Sequence, residues 1–465
     1  MILNTPKTCA FITLGCKVNQ YETQAIRESL IEKGFMEISP EMAADIYVIN
    51  TCTVTSASDE KSRSYIKHLK KRSPHSTIVV TGCYAESDAD AIKKIDGVSH
   101  VITKAEESSL AEIVADNEPS RSFQTSLLHS HRLQSDLPHA KIQKDSIYHL
   151  KISHFQGHTK AFLKIEDGCD MYCSYCIIPY VRGNIKSRKW QDIQDEAKRL
   201  IQNGYKEIVL TGIHLGAYGK ETPDSISLVD ILEKLSNLSG MGRIRLSSIE
   251  VNEVTLELIR LVAEKKNICP HFHIPLQSGD NFILKRMNRK YTSDLYLEIL
   301  DTIREKIELP SFTTDVMVGF PGETDTHFEN TVNLCMKAGY SRMHIFPFSV
   351  RKGTPAANMQ NHCPPKIIAQ RKTLLKAQAD TLAFSYKKHF LNSIAEVLVE
   401  TERDSKTNKL CGYSERYIKV LFDGPDALKN SIVPVQIEKI TPSVVFGKLY
   451  ENETSRKYFQ VAAKE

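Results

Sequence analysis

Eleven cysteines lie among the 465 residues of the chain. Three of them, Cys169, Cys173 and Cys176, fall within the short stretch GCDMYCSYC at 168–176. Three thiolates on so short a loop can ligate three corners of an iron–sulfur cube and leave the fourth iron open. Zinc is the plainer alternative, because cysteine pairs often build structural sites. Such a site normally closes with a fourth Cys or His at short spacing, whereas here the chain runs on into IIPYVRG. Three more cysteines, Cys16, Cys52 and Cys83, each end an apolar run: AFITLGC, IYVINTC and TIVVTGC. If those runs are strands of one parallel sheet, their ends share an edge and the three thiols meet there. Packing is the competing account, since free cysteine usually behaves as a small buried hydrophobe. Recurrence at three strand ends, each beside Gly or Thr, weighs against it. The remaining Cys9, Cys269, Cys335, Cys363 and Cys411 fit neither pattern and read as buried or incidental thiols.

The elements that must position these groups follow from hydrophobic periodicity. Residues 7–103 alternate short apolar runs with helical segments, the rhythm of parallel β/α units. The first helix is expected to be capped by Asn19, with Glu22 at the capping-box position, Ile26 and Leu30 on one face, and Gly34 as its stop. Residues 117–157 turn to Ser, His, Gln and isolated Pro and read as a connector. From residue 160 six strands are predicted at 161–165, 207–212, 243–248, 271–276, 312–320 and 342–348. Helical patterns separate them at 191–203, 227–238, 254–265, 292–306 and 325–338. That succession predicts a partial β/α barrel with its chemistry at the carboxyl ends of the strands, and Cys169 follows the first of them by a few residues. After about residue 385 the helices give way to short β-rich runs separated by Asn, Gly and Asp, which predict a small OB-like barrel. The expected class is therefore α/β: an N-terminal parallel α/β domain (1–116), the connector (117–157), a central partial (βα)6 barrel (158–384) and a small all-β barrel (385–455).

Composition narrows the function classes. With 41% hydrophobic and 25% charged residues, disordered and collagen-like chains are excluded. Length favours two or three domains. No apolar run is long enough to cross a bilayer, and the first residues lack the basic region and cleavage site of a signal peptide. A cytoplasmic protein without a membrane partner is expected, and in a reducing compartment clustered thiols are more often ligands or catalytic groups than disulfides. The formal charge of +5 permits a nucleic-acid partner without demanding one.

The spacing Cys-x3-Cys-x2-Cys, with Tyr175 just before the last cysteine, resembles the radical S-adenosylmethionine superfamily. That resemblance implies an open iron that chelates the amino and carboxylate groups of the cofactor's methionine portion, and an electron transfer that yields a 5'-deoxyadenosyl radical. TLGCKVNQYET (13–23), NTCTVT (50–55), TGCYA (81–85), EDGCDMYCSYCIIPYVRG (166–183), PLQSGD (275–280) and DVMVGFPGET (315–324) together resemble the methylthiotransferase family across essentially the whole chain. The terminal barrel would then be that family's RNA-binding TRAM domain. GCKVNQYE is most similar to the branch that acts on N6-threonylcarbamoyladenosine beside the tRNA anticodon, at position 37. The isopentenyladenosine and ribosomal-protein branches carry different residues there.

The resemblance implies two 4Fe–4S clusters, one on Cys169, Cys173 and Cys176 and an auxiliary one on Cys16, Cys52 and Cys83. S-adenosyl-L-methionine would serve as radical source and as methyl donor, and the product would be a 2-methylthio base. Partners would be the tRNA anticodon stem-loop, an electron donor such as flavodoxin or ferredoxin, and a sulfur donor. A methylthiotransferase of either other branch, or a non-catalytic zinc or RNA-binding protein, is the rival reading.

Other positions carry weaker signals. Gly212 and His214 end the second barrel strand, Ser248 and Glu250 the third, and Gln277 follows the fourth. Together with Tyr175, Arg289, Gly319 and Gly322 they are candidates for S-adenosylmethionine contacts. Each also has a plain account as a loop cap, a solvated arginine or a tight turn. Trp190 is expected to pack at a helix start. Basic runs at 61–72, 182–190 and 285–291 are candidates for phosphate contact, the first also reading as a solvated helix face. GYSERYIKV (412–420) offers aromatic and basic groups of the kind an OB-like RNA binder uses. Asn392 stands where a glycine is expected to open the terminal barrel.

Overall fold

The computed structural model describes residues 6–53, 56–115, 150–221 and 226–450. The described residues form two compact units, the first drawn from 6–152, 167–170 and 176–184, the second from 153–166, 171–175 and 185–450. The expected connector at 117–157 falls for the most part outside the described residues.

The first unit is a five-stranded sheet in the order β2-β1-β3-β4-β5, formed by β1 (Thr8–Thr13), β2 (Met36–Glu37), β3 (Ile46–Thr51), β4 (Thr77–Gly82) and β5 (His100–Val101). Every pairing is parallel. Between the strands run α1 (Lys17–Glu32), α2 (Ser56–Arg72), α3 (Cys83–Ser87) and α4 (Ala89–Lys93), and α5 (Leu110–Ala115) follows β5. Ala10, Ile12, Tyr47, Ile49, Ile78 and Val80 pack one sheet face against Ile66, Leu69, Tyr84 and Ile92. Phe11, Ile46, Val48 and Val79 pack the other against Ile26, Leu30, Leu110 and Val114. Covering both faces is what makes these strands continuous apolar runs. A further short helix, α6 (Ile178–Arg182), belongs to this unit and packs on α3.

The helix cap differs from expectation. The N-cap of α1 is Cys16, and Asn19 stands at the third helical position, where its Oδ1 accepts from the Cys16 amide at 3.4 Å and from its Sγ at 3.1 Å. Glu22 is fully buried and serves no cap; its carboxylate is held by buried cations, as described below. Gly34 does follow the helix end, in a left-handed conformation (φ 89°).

The second unit holds six parallel strands, β6 (Ala161–Lys164), β7 (Glu207–Thr211), β8 (Arg243–Leu246), β9 (His271–His273), β10 (Ser311–Val318) and β11 (Arg342–Pro347). They form two three-stranded sheets, β8-β7-β6 and β9-β10-β11, joined by parallel bridges from Ile244 to Ile268 and from Ser248 to His273. The result is the expected partial barrel. Helices α7 (Trp190–Gln202), α8 (Leu228–Ser236), α9 (Leu256–Glu264), α10 (Asn281–Arg286), α11 (Ser293–Lys306) and α12 (Asp325–Ala338) alternate with them. Trp190 opens α7 as expected, with the Lys234 ammonium 5.8 Å from its ring. Within β10 the buried residues Phe312, Thr314, Val316 and Val318 alternate with Asp315 and Met317 on the opposite face.

Helix α13 (Pro365–Lys388) was not foreseen. Its buried stripe is a single file of Arg371, Leu375, Ala379, Leu382 and Tyr386, too narrow and too polar at its start to stand out as an amphipathic pattern. It leads into a closed barrel, β12 (Ile394–Val399), β13 (Leu410–Ser414), β14 (Lys419–Phe422), β15 (Ile432–Ile440) and β16 (Val445–Leu449), in the order β12-β13-β14-β16-β15. Val397, Val420, Phe422, Val433 and Val435 fill it. Asn392 introduces it at φ 65°, a left-handed position that asparagine tolerates better than other side-chain-bearing residues. The glycine expected there is thus replaced by its nearest conformational substitute.

Candidate functional site

Cys16, Cys52 and Cys83 follow the C-terminal ends of β1, β3 and β4, three adjacent strands of one sheet. Register places Thr13 beside Asn50 and Thr51 beside Gly82, so the three cysteines leave the same edge. The loops there touch: a Cβ on Gly15 would stand 3.2 Å from the Cβ of Cys52. Two asparagines tie the loops together, Asn19 Nδ2 donating to Asn50 Oδ1 at 2.8 Å and Asn50 Nδ2 to the Asn19 carbonyl at 3.1 Å. Thr51 Oγ1 donates to the Thr81 carbonyl at 2.6 Å. Gly82 takes φ 93°, and a Cβ there would fall 2.3 Å from Asn50 Oδ1 and 2.4 Å from the Thr51 carbonyl. The Gly-Cys pair at this strand end is therefore a space requirement as well as a turn.

A buried charge network lies in the same unit. Arg182 donates through Nη1 to Glu22 Oε1 at 2.9 Å and to Asp167 Oδ2 at 2.9 Å. Lys104 Nζ donates to Glu22 Oε2 at 2.6 Å and Glu107 Oε1 at 2.8 Å. Burial pushes the Cys83 thiol up, and the Arg182 and Lys104 charges pull it back only in part. Cys16 is exposed, Cys52 and Cys83 are buried, and none of the eleven cysteines is in a disulfide. Among the described residues no three Cys, His, Asp or Glu side chains are gathered as a ready metal site. What the strands supply is a thiol-only donor set on one edge, the chemistry that suits iron–sulfur ligation rather than a hard divalent cation.

The loop carrying Cys169, Cys173 and Cys176 follows β6, at the carboxyl end of the first barrel strand. Gly168 takes φ 92°, and a Cβ there would fall 2.1 Å from the Asn184 carbonyl. In the second unit Asn288 Nδ2 donates to the Tyr172 carbonyl at 2.9 Å, and Ser174 Oγ to the Arg286 carbonyl at 2.8 Å. Arg289, 8% exposed, donates through Nη1 to Cys173 Sγ at 3.3 Å, through Nε to Tyr291 at 3.2 Å and through Nη2 to Glu250. A guanidinium thus already serves a cysteine sulfur here. Tyr175 packs edge-on to Phe320 at 6.4 Å, beside Ile283, Met287 and Ala356.

The other rim residues fall into distinct roles. A Cβ on Gly212 would meet Glu166 Oε2 at 2.4 Å, and the same carboxylate oxygen accepts from the His214 amide at 2.8 Å. His214 Nε2 lies 3.0 Å from Glu253 Oε1. Burial raises the Glu253 carboxyl, yet the hydrogen bond and charge of His214, with Lys220, hold it below its ordinary value. Gln277 takes φ 59° and bonds through its backbone to Asp315 and Met317. Gly319 is approached by Ile368 of α13, 2.4 Å from where a Cβ would lie, and Gly322 by Arg286. Ser248 is exposed, whereas its neighbour Ser247 is buried. The Ser247 and Thr211 hydroxyls, which sequence reasoning missed, are buried with no hydrogen-bond partner; Thr211 ends β7 and Ser247 directly follows β8, its amide donating to the Leu210 carbonyl. Orphaned hydroxyls at the carboxyl ends of barrel strands suit a polar ligand. No sequence pattern marks them.

Some expected RNA contacts are engaged elsewhere. Arg182 and Arg289 are buried as above, and Arg188 pairs with Glu196 at 3.0 Å while donating to the Lys164 carbonyl. Tyr413 and Tyr417 stack on each other at 5.0 Å, with Lys160 over both rings and Arg245 over Tyr417. These aromatics help join the terminal barrel to the strands. Of the five cysteines outside the motifs, Cys9, Cys269, Cys335 and Cys411 are buried, and burial pushes the Cys9 and Cys269 thiols up to about 11. Cys363 is half-buried. No helix among the described residues is long and apolar enough to cross a membrane.

Comparison with known proteins places this architecture. Residues 163–335 match the radical SAM superfamily and residues 8–103 match an uncharacterized protein family, UPF0004. The threonylcarbamoyladenosine tRNA methylthiotransferase MtaB of Bacillus subtilis is 38% identical over 93% of this chain and 94% of its own. The tRNA-2-methylthio-N(6)-dimethylallyladenosine synthase of Carboxydothermus hydrogenoformans is 32% identical over 96% of this chain and 98% of its own. In fold the chain resembles the radical S-adenosylmethionine methyltransferase TsrM from Kitasatospora setae, with a TM-score of 0.52, 14% identity, and coverage of 76% of this chain and 77% of that one. The chain belongs to the radical S-adenosylmethionine tRNA methylthiotransferases, enzymes that work with S-adenosylmethionine and two 4Fe–4S clusters.

Proposed function

We propose that this enzyme methylthiolates carbon 2 of N6-threonylcarbamoyladenosine at position 37 of tRNA. The observation that carries the choice of base is the order of similarity. Four relatives named for threonylcarbamoyladenosine are 34–38% identical to the chain, and four named for dimethylallyladenosine are 31–33% identical. Cys169, Cys173 and Cys176 hold the cluster that binds S-adenosylmethionine, and Cys16, Cys52 and Cys83 hold the auxiliary one. When bound, these groups supply reductive cleavage of S-adenosylmethionine and a sulfur atom.

The chain's own residues orient and shield. Arg289 donates to the Cys173 sulfur and is itself fixed by Glu250 and Tyr291. Glu166 braces the turn at Gly212 and His214, while Thr211 and Ser247 offer buried hydroxyls to a polar ligand. In the second unit a groove with 530 Å³ of water-accessible space is lined by Arg342, Lys376, Lys387, Arg416 and Lys419 together with Asp380. Lys376 pairs with Asp380, Arg416 with Glu415 and Lys419 with Asp404, so Arg342 and Lys387 carry the case for contact with RNA phosphates. A flavodoxin- or ferredoxin-like reductant and a sulfur donor complete the set of partners.

Nucleoside mass spectrometry of tRNA from cells with and without the gene tests the substrate. Loss of 2-methylthio-N6-threonylcarbamoyladenosine is expected, with about eight irons per reconstituted chain. Loss of the isopentenyl derivative instead would move the enzyme to the neighbouring branch.

A further inference from the structure

We propose that Arg182 is a positioning residue for the auxiliary cluster: its Nε–H donates a hydrogen bond to sulfur held at the Cys16, Cys52 and Cys83 edge. The inference rests on the reading of those cysteines as cluster ligands. Arg182 is 2% exposed, and its two Nη atoms are taken by Glu22 and Asp167. Its Nε is buried with no hydrogen-bond partner. An orphaned donor of this kind costs on the order of 1–3 kcal/mol unless something accepts from it.

The surroundings say what the acceptor is. Helix α6, which ends at Arg182, packs on α3, whose first residue is Cys83. Glu22, which holds the guanidinium fork, stands on α1, whose N-cap is Cys16. The carboxylates of the network are engaged through Nη, and cluster sulfur is the acceptor assigned to Nε. Arg289 makes the same kind of bond to Cys173 in the other unit, at 3.3 Å. Hydrogen bonds to sulfur and nearby positive charge stabilise the reduced, more negative cluster and raise its potential.

The full-length chain with Cys169, Cys173 and Cys176 all replaced by Ala leaves the auxiliary cluster as the one observed. In this parent, labelled with nitrogen-15 at arginine Nε and reduced, electron–nuclear double resonance should show a nitrogen-15 coupling. The change Arg182→Lys keeps a charge for Glu22 and Asp167 but has no Nε. It should retain about four irons per chain, abolish the coupling and shift the midpoint potential downward. No coupling in an iron-replete parent overturns the proposal, as does a coupling or a potential that Arg182→Lys leaves unchanged. A parent that binds no iron at all overturns the cysteine assignment and this inference with it.

Discussion

The Arg182 network of the first unit and the Glu207 network of the second are built from the same parts and finish differently. In the second unit Glu207 holds Arg243 through its Nε at 2.5 Å and Arg245 through its Nε at 2.8 Å. The remaining guanidinium donors reach the carbonyls of Glu396, Tyr413, Ser414 and Glu415 in the terminal barrel. Each Nη reaches backbone of the terminal barrel while Glu207 holds the Nε atoms, so this network is a joint. In the first unit Arg182 also sits on carboxylates, yet its Nε donor is left over. Arg371 is likewise held by Glu323 and Asp325 with its Nε unmet, so an unmet donor alone marks no site; what sets Arg182 apart is that its helix packs on the one that Cys83 opens.

The largest effect is expected at the joint. Glu207→Gln leaves two buried guanidiniums facing one neutral amide, and removing a partner from a buried pair costs about 3–5 kcal/mol. Burial pushes the Glu207 carboxyl up, but Arg245 and Arg243 outweigh it and hold it at about 2 against an ordinary 4.5. A carboxyl depressed on folding contributes stability that is present above its unfolded value and is lost as pH falls through the folded one. The stability gap between parent and Glu207→Gln, read by urea unfolding, should therefore narrow as pH falls from 4.5 toward 2. A gap that stays constant would show that the carboxylate charge is not what fastens the two barrels.

An intermediate effect is expected at the thiol edge. Gly82→Ala would force a Cβ onto Asn50 Oδ1 and the Thr51 carbonyl, at a φ that costs a side-chain-bearing residue about 1–3 kcal/mol in its own right. Because Asn50 also holds Asn19, the clash should spread to the loops of Cys52 and Cys16. Iron on the auxiliary site should fall well below that of the parent, while the Glu207 joint keeps its stability against urea. Full iron loading of the variant would mean that the edge tolerates movement and that its glycine serves the turn alone.

The contrast also explains what was legible beforehand. Strand-end cysteines, the six-strand succession and the terminal barrel were readable because each rests on local pattern: apolar runs, punctuation by Gly and spacing of thiols. Helix α13 was not, because its buried face includes Arg371, whose place inside depends on Glu323 and Asp325 from other elements. Glu22 looked like a capping-box partner for the same reason. Its true partners, Lys104 and Arg182, lie 82 and 160 residues away in the chain. Arg182, Arg188 and Arg289 looked like phosphate contacts until the fold surrounded them with carboxylates. Charge in a sequence carries no sign of burial, so ionic cores are read as surfaces.

The smallest effect is expected where the terminal barrel opens. Gly82 and Asn392 both adopt positive φ, at 93° and 65°, but they differ in what surrounds them. At Gly82 the added atom has no room, so conformation and space both demand glycine. At Asn392 a side chain is already accommodated, and the backbone N–H donates to the Ile437 carbonyl at 2.8 Å. Only the dihedral is demanding there. Asn392→Gly should then change stability by no more than about 0.5 kcal/mol, the relief of the left-handed residue being offset by a freer unfolded chain. Asn392→Ala should cost about 1 kcal/mol, because alanine enters that region with a full Cβ penalty and no local polar compensation. Urea midpoints for the two variants separate the cases: equal losses would mean that the asparagine amide side chain, rather than backbone conformation, holds the opening of the barrel.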